Sequence, residues 1–179
     1  MGGAMAEAIG RNFFVYEPDA SIGQTLSNSC VTICEEAGFT RCDDPNWAAF
    51  AFAPLLRRKL NPADFNAPEH GTLIFHPSAL PYRRGPDAIR QTLRAGERVS
   101  AATWFFADEQ LDAGPVCEQE VVLLDLDADA RTNYLERFVP AAIRAFDRAI
   151  CHFAKTGQFR RVSQNERLAT YDRPLSSSA

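Results

Sequence analysis

Short continuous apolar runs alternate along this chain with segments whose apolar residues recur every three or four positions, and that alternation leaves few folds open. Residues 12–16 (NFFVY) form an apolar burst closed by Glu17-Pro18-Asp19, the pattern of a strand and a turn. From 20 to 37 the spacing becomes helical, through Ile22, Leu26, Cys30, Ile33 and Ala37, and Gly38 is placed to stop the helix in a left-handed conformation. Residues 47–53 (WAAFAFA) and 72–75 (TLIF) read as buried strands, the second preceded by a turn at 68–71. Gly85, Pro86 and Asp87 suit a helix start, with the helix running to about Ala95 and ending at Gly96. A strand at 101–106, a polar loop at 108–114 and a strand at 116–124 follow. Strands interleaved with helices call for an α/β fold with a mostly parallel sheet.

The clearest element spans about 130–154, where Leu135, Phe138, Ala142, Phe146, Ile150 and Phe153 form one apolar stripe. Pro140 interrupts it and is expected to kink it. Beyond Thr156 no periodicity remains. One domain over 11–172 is expected, with flexible ends at 1–10 and 173–179. The 179 residues are 46% hydrophobic and 23% charged, ample for an ordinary core.

The formal charge of −4 gives no electrostatic footprint for nucleic acid, and Arg57-Arg58, Arg83-Arg84 and Arg160-Arg161 form no stripe. No apolar run approaches the roughly 20 residues that span a bilayer, and the start has no secretory pattern, so a cytoplasmic protein is expected. Five scattered cysteines include a Cys30/Cys34 pair without a matching His or Cys cluster, so reduced thiols rather than a metal site are expected.

In open α/β sheets, ligands bind beyond the carboxyl ends of strands. His76 directly follows one strand, and Asp112 lies in the loop after another. If both loops open on the same side of a parallel sheet, the two can meet. On spacing alone, a His at a strand end is more often structural and an Asp beside a Gly such as Gly114 is usually turn chemistry.

The words around these residues carry more. HPSALPYRRG (76–85) and LDAGP (111–115) closely resemble the HPSxLPxxRG and LDxG motifs of the formyltetrahydrofolate-dependent formyltransferase and hydrolase family. FAPLLRRKLNPADFNAPEHG (52–71) is similar to that family's segment between pterin-binding loop and catalytic strand. Phe138-Val139-Pro140 and Ala169-Thr170-Tyr171 look like the later helix and tail of the hydrolase domain of 10-formyltetrahydrofolate dehydrogenase. The resemblance covers roughly 47–172.

It implies a Rossmann-like α/β fold, a mostly parallel sheet flanked by helices, with a shortened N-terminal part. It implies 10-formyltetrahydrofolate as formyl donor, a small amine, a thiol or water as acceptor, and no metal. His76 and Asp112 would be catalytic, and Pro77, Ser78, Pro81, Gly85 and Gly114 would shape loops. Ala53, Pro54, Leu55 and Leu56 match the pterin-binding loop, with Arg57 and Arg58 beside it as candidates for the folate glutamates or as solvated surface.

Two departures stand out. Most transferases of the family carry Asn two residues before the His, where its amide helps stabilise the oxyanion; this chain has Ile74, as does the dehydrogenase-fused hydrolase. Only 75 residues precede His76, against about a hundred in the family, so the front of the sheet is expected to lack one or two strands. That would expose an edge which a homodimer could cover. The competing reading is a catalytically inactive folate-binding or partner-binding module.

Overall fold

The computed structural model describes residues 10–56 and 58–175, so Arg57 and the outermost ends lie outside the described residues. Six strands form one sheet: β1 (Asn12–Val15), β2 (Thr40–Arg41), β3 (Phe50–Ala53), β4 (Thr72–His76), β5 (Val99–Phe106) and β6 (Val116–Leu123). Their order is β2-β1-β3-β4-β5-β6. The first four are parallel, whereas β5 runs antiparallel to β4 and β6 antiparallel to β5. The sheet is therefore mostly parallel, but not at the strand that precedes Asp112.

Side chains alternate across each strand and divide the sheet into two unlike faces. Phe13, Val15, Phe50, Phe52, Leu73, Phe75, Trp104 and Phe106 point to one face. There α1 (Gln24–Glu36) and α5 (Val139–Thr156) lie against them. Phe146 of α5 sits 4.9 Å from the Phe52 ring and 4.8 Å from Trp104, and Trp104 Nε1 donates to the Ala142 carbonyl at 2.9 Å. Of the stripe read from the sequence, Phe138, Ala142, Phe146, Ile150 and Phe153 are buried and Leu135 is partly covered. Ala51, Ala53 and Tyr16 point the other way, where the single-turn α2 (Pro62–Phe65) brings in Phe65. The alanines in β3 let this thinner layer approach closely.

Several local expectations change. The strand expected from 47 begins at Phe50, because Pro45–Trp47 is a 3-10 turn with Asn46 N–H donating to Asp44 Oδ1, and Trp47 is half exposed. Asp87 stands at the N-cap of α3 (Ala88–Arg94), but it is left-handed at φ +63° and its side chain makes no capping hydrogen bond. Its carboxylate instead accepts from Leu175 N–H. Residues 173–175, expected to be loose, are thus anchored, and Gln91 also donates to the Arg173 carbonyl. Ahead of Pro140, α4 (Ala130–Asn133) passes into a π-helical turn, Tyr134–Phe138, in which Val139 N–H reaches back to the Tyr134 carbonyl. Pro140 has no N–H and crowds the carbonyl four residues earlier, so the discontinuity takes this form just before it. Gly38, at φ +85°, closes α1 as expected.

Candidate active site

His76 ends β4 on the face away from the long helices, two residues after Ile74. The antiparallel course of β5 corrects the geometric reason given for its meeting Asp112. Phe106 pairs with Leu73 at the start of β4, and Ala107 N–H donates to the Thr72 carbonyl, so the chain leaves β5 at the wrong end of the sheet. His76 pairs with Thr103, three residues back along β5 or roughly 10 Å away. Residues 107–115 must fold back over that distance, and they do: Asp112 Oδ2 lies 3.8 Å from His76 Nδ1. Both side chains are largely shielded from solvent.

Two residues, one on either side of Arg84, hold the pair. The Arg83 carbonyl lies 2.9 Å from His76 Nε2, and the Gly85 N–H donates to Asp112 Oδ2 at 2.7 Å. Arg83 and Gly85 both have positive φ, +56° and +98°, which bends the backbone sharply on either side of Arg84. A Cβ on Gly85 would also lie 2.6 Å from the Asp172 carbonyl oxygen, so no other residue fits there without displacement. Because a carbonyl oxygen only accepts, His76 Nε2 carries a proton and Nδ1 is left facing the carboxylate. At 3.8 Å the two make no hydrogen bond, but a proton arriving at Nδ1 would place an imidazolium beside a carboxylate.

The remaining residues of the two motifs are placed as follows. Ser78 Oγ donates to the Tyr82 carbonyl and the Ser78 carbonyl accepts from Thr103 Oγ1. Pro77 directly follows β4, and Pro81, whose peptide bond with Leu80 is cis, lends its carbonyl to Thr170 N–H. Gly114 lies so close to β5 that a Cβ there would fall 1.9 Å from the Phe106 carbonyl oxygen.

Ala53, Pro54, Leu55 and Leu56 leave β3 beside β4, with Ala53 paired to Ile74. Ala53 and Pro54 are buried; Leu55 and Leu56 are partly covered, and the Leu55 carbonyl accepts from Asp19 N–H. Arg58 is turned to Asp19, to which it donates a backbone hydrogen bond and brings its guanidinium within 3.6 Å. Lys59 Nζ donates to the Glu109 carbonyl, joining this loop to the one bearing Asp112. Ile74 packs among Tyr16, Ala51 and Ala53 and offers no polar hydrogen from its side chain. Among the described residues no group of three or more His, Cys, Asp or Glu could hold a metal, and no helix is long and apolar enough to cross a membrane.

The tail contributes what the sequence did not reveal. Arg84, 6% exposed, donates to Gln164 Oε1 and to both carboxylate oxygens of Glu166. The guanidinium keeps the Glu166 carboxyl below the ordinary carboxylate value. Gln164 Nε2 donates to the carbonyls of Asp112 and Gly114, each at 2.8 Å. Arg84 N–H donates to the Thr170 carbonyl and the Arg84 carbonyl accepts from Asp172 N–H, while Arg83 pairs with Asp172 and Glu97. The signal available was an arginine pair inside a motif without a carboxylate, since a buried guanidinium demands acceptors from elsewhere.

Comparison with known proteins fits this geometry. The cytosolic 10-formyltetrahydrofolate dehydrogenase of Xenopus tropicalis is 35% identical over 107 residues, covering 60% of this chain and 12% of that protein. The chain thus spans only about an eighth of the dehydrogenases' length. In fold it is similar to HypX from Aquifex aeolicus, solved in complex with tetrahydrofolic acid, with TM-score 0.75 and 20% identity over 93% of this chain and 30% of that one. It is likewise similar to phosphoribosylglycinamide formyltransferase from Bacillus halodurans, with TM-score 0.65 and 18% identity over 82% of this chain and 97% of that one. Residues 53–150, more than half the chain and including both His76 and Asp112, match the family described as formyl transferase. A His–Asp pair held at the end of β4, within a segment matched over that length, leaves one family assignment: the chain belongs to the formyl transferases.

Proposed function

We propose that this chain takes the formyl group from 10-formyltetrahydrofolate and passes it to a small amine, a thiol or water. The observation that carries the reading is the His76–Asp112 pair, 3.8 Å apart and fixed from both sides by Arg83 and Gly85. The pterin head would lie against residues 53–56, whose strand is paired with β4 directly beside the pair.

In this reading the acceptor attacks the formyl carbon and the carbonyl π pair moves onto oxygen. Collapse of the tetrahedral carbon re-forms the carbonyl and breaks its bond to N10. The acceptor loses one proton and N10 gains one, so no external acid or base is consumed. Asp112 is the base that draws the acceptor's proton, and His76 Nδ1, bare while Nε2 donates to the Arg83 carbonyl, takes that proton from Asp112, presents it to the developing oxyanion and passes it on to N10. Ile74 provides no side-chain donor at the position where most of the family has Asn, which motivates the second reading, a catalytically inactive folate-binding or partner-binding module; the dehydrogenase-fused hydrolase that the chain resembles shares this Ile, which weighs against that reading.

The test is to incubate the protein with 10-formyltetrahydrofolate and follow tetrahydrofolate release with no acceptor and with a panel of amines and thiols. Release without acceptor identifies water as a substrate, and release with one acceptor only names a transferase. Either must fall by about 10²–10⁴ in His76→Ala and Asp112→Ala. Unchanged release in those variants sinks the assignment, and folate binding with no release under any condition supports the second reading.

A further inference from the structure

We propose that Gln164 is a positioning residue that sets the separation of the two catalytic loops, a role resting on the reaction proposed above. Its carboxamide is used completely. Both amino hydrogens go to one loop, the carbonyls of Asp112 and Gly114, and the oxygen receives two guanidinium hydrogens from Arg84 in the other. Chemistry fixes this orientation. Turned over, the amide would set its oxygen against two carbonyls and its hydrogens against a cation.

The residue it grips is the one whose position matters most. Asp112 has φ +53°, a left-handed backbone that a side-chain-bearing residue keeps only when its surroundings hold it there. Gly85 N–H holds the Asp112 carboxylate, and Gln164 holds its carbonyl. The same Gln164, through Arg84, is tied to the backbone turn whose flanking residues hold His76 and Asp112. One side chain, 52 residues from Asp112 and 80 from Arg84, closes this ring of contacts. With His76 Nδ1 and Asp112 Oδ2 just beyond hydrogen-bond distance, a shift of a fraction of an ångström in the Asp112 loop decides whether the pair engages. The side-chain hydrogen bonds of Gln164 go to Arg84, Asp112 and Gly114 and not to residues 53–56, so loosening it would change turnover without changing donor binding.

Gln164→Glu isolates the function. The carboxylate still accepts from Arg84 and keeps the tail anchored, but it loses both donors and opposes the Asp112 and Gly114 carbonyls. The expected result is a fall in kcat of about 10²-fold, the usual consequence of misplacing a reacting group by about 1 Å. KM for 10-formyltetrahydrofolate should stay near wild type, and the melting temperature should fall by no more than a few degrees, the cost of the unpaired carbonyls, so that the protein is still folded at 25 °C. Glu166→Gln weakens the other anchor of Arg84 without touching Asp112 and should leave kcat unchanged. A Gln164→Glu kcat within twofold of wild type overturns the proposal. So does an equal loss in Glu166→Gln, which would make general tail docking the cause. Amide hydrogen exchange supplies a readout independent of turnover: residues 107–115 should exchange faster in Gln164→Glu and not in Glu166→Gln. If wild-type protein shows no formyl release, the function reading fails by itself, and unchanged exchange at 107–115 then decides against the clamp.

Discussion

Replacing Gly114 by alanine tests the idea that the Asp112 loop is held in register by contact with β5. The added Cβ would lie 1.9 Å from the Phe106 carbonyl oxygen and 3.3 Å from Asp108 Cβ. Carbon and oxygen in contact normally stay about 3.3 Å apart, so the two must separate by roughly 1.4 Å. Phe106 cannot supply that movement. It is 2% exposed, is paired with Leu73, and donates its N–H to the Pro115 carbonyl. The loop must therefore move, and Asp112, two residues away, moves with it. A displacement of this size costs about 10²-fold in turnover, and the overpacking costs about 1–3 kcal/mol of stability. At about 2–4 °C per kcal/mol for a chain of this size, the melting temperature falls but the protein stays folded at 25 °C. Tetrahydrofolate release under saturating donor measures the first effect, and a thermal melt followed by circular dichroism measures the second. A Gly114→Ala variant turning over within threefold of wild type would refute both the steric account and the link from loop position to rate.

Phe146→Ala removes a fully buried ring from between Phe52 and Trp104 and should cost about 3–5 kcal/mol in urea denaturation, with a changed Trp104 emission. Arg84→Met leaves Gln164 Oε1 without its partner and should destabilise the fold by about 1–3 kcal/mol. It should also remove an acid-side dependence. The Glu166 carboxyl is depressed in the folded state, so its contribution is present above the ordinary carboxylate value and lost as pH falls; comparing wild-type and variant melts from pH 6 to 3 reads that difference. At alkaline pH, burial first and then the Asp64 carboxylate push the Tyr16 hydroxyl up to about 12, and its proton goes to the Asp64 carbonyl. Because the folded value is raised, this contribution is complete below pH 10 and lost as pH climbs toward 12, which tyrosinate absorbance at 295 nm in wild type and Tyr16→Phe follows.

What the sequence disclosed and what it hid divide along physical lines. The β4 strand and the stripe of α5 were legible because burying an apolar face leaves a period in the residues themselves. The direction of β5 was not. AATWFF is equally apolar whichever way it runs, and direction depends on how the short α3 connection returns the chain to the sheet. His76 and Asp112 were legible through their neighbours, although the parallel-sheet reason for bringing them together was wrong; residues 107–115 do it. Gln164, Arg84 and Thr170 act through hydrogen bonds between segments some 80 positions apart, and such bonds impose no local pattern.

The tail strapped across the Asp112 loop also sets an order of events. The sheet and α5 can consolidate once β4, β5 and β6 pair, and burial of Trp104 marks that stage. The ring through Gln164 closes only when a segment far along the chain docks onto a loop that is already shaped, and long-range closures of this kind come late. On refolding from urea, Trp104 fluorescence should therefore recover before formyl release does, and the interval between the two is the time the strap takes to fasten.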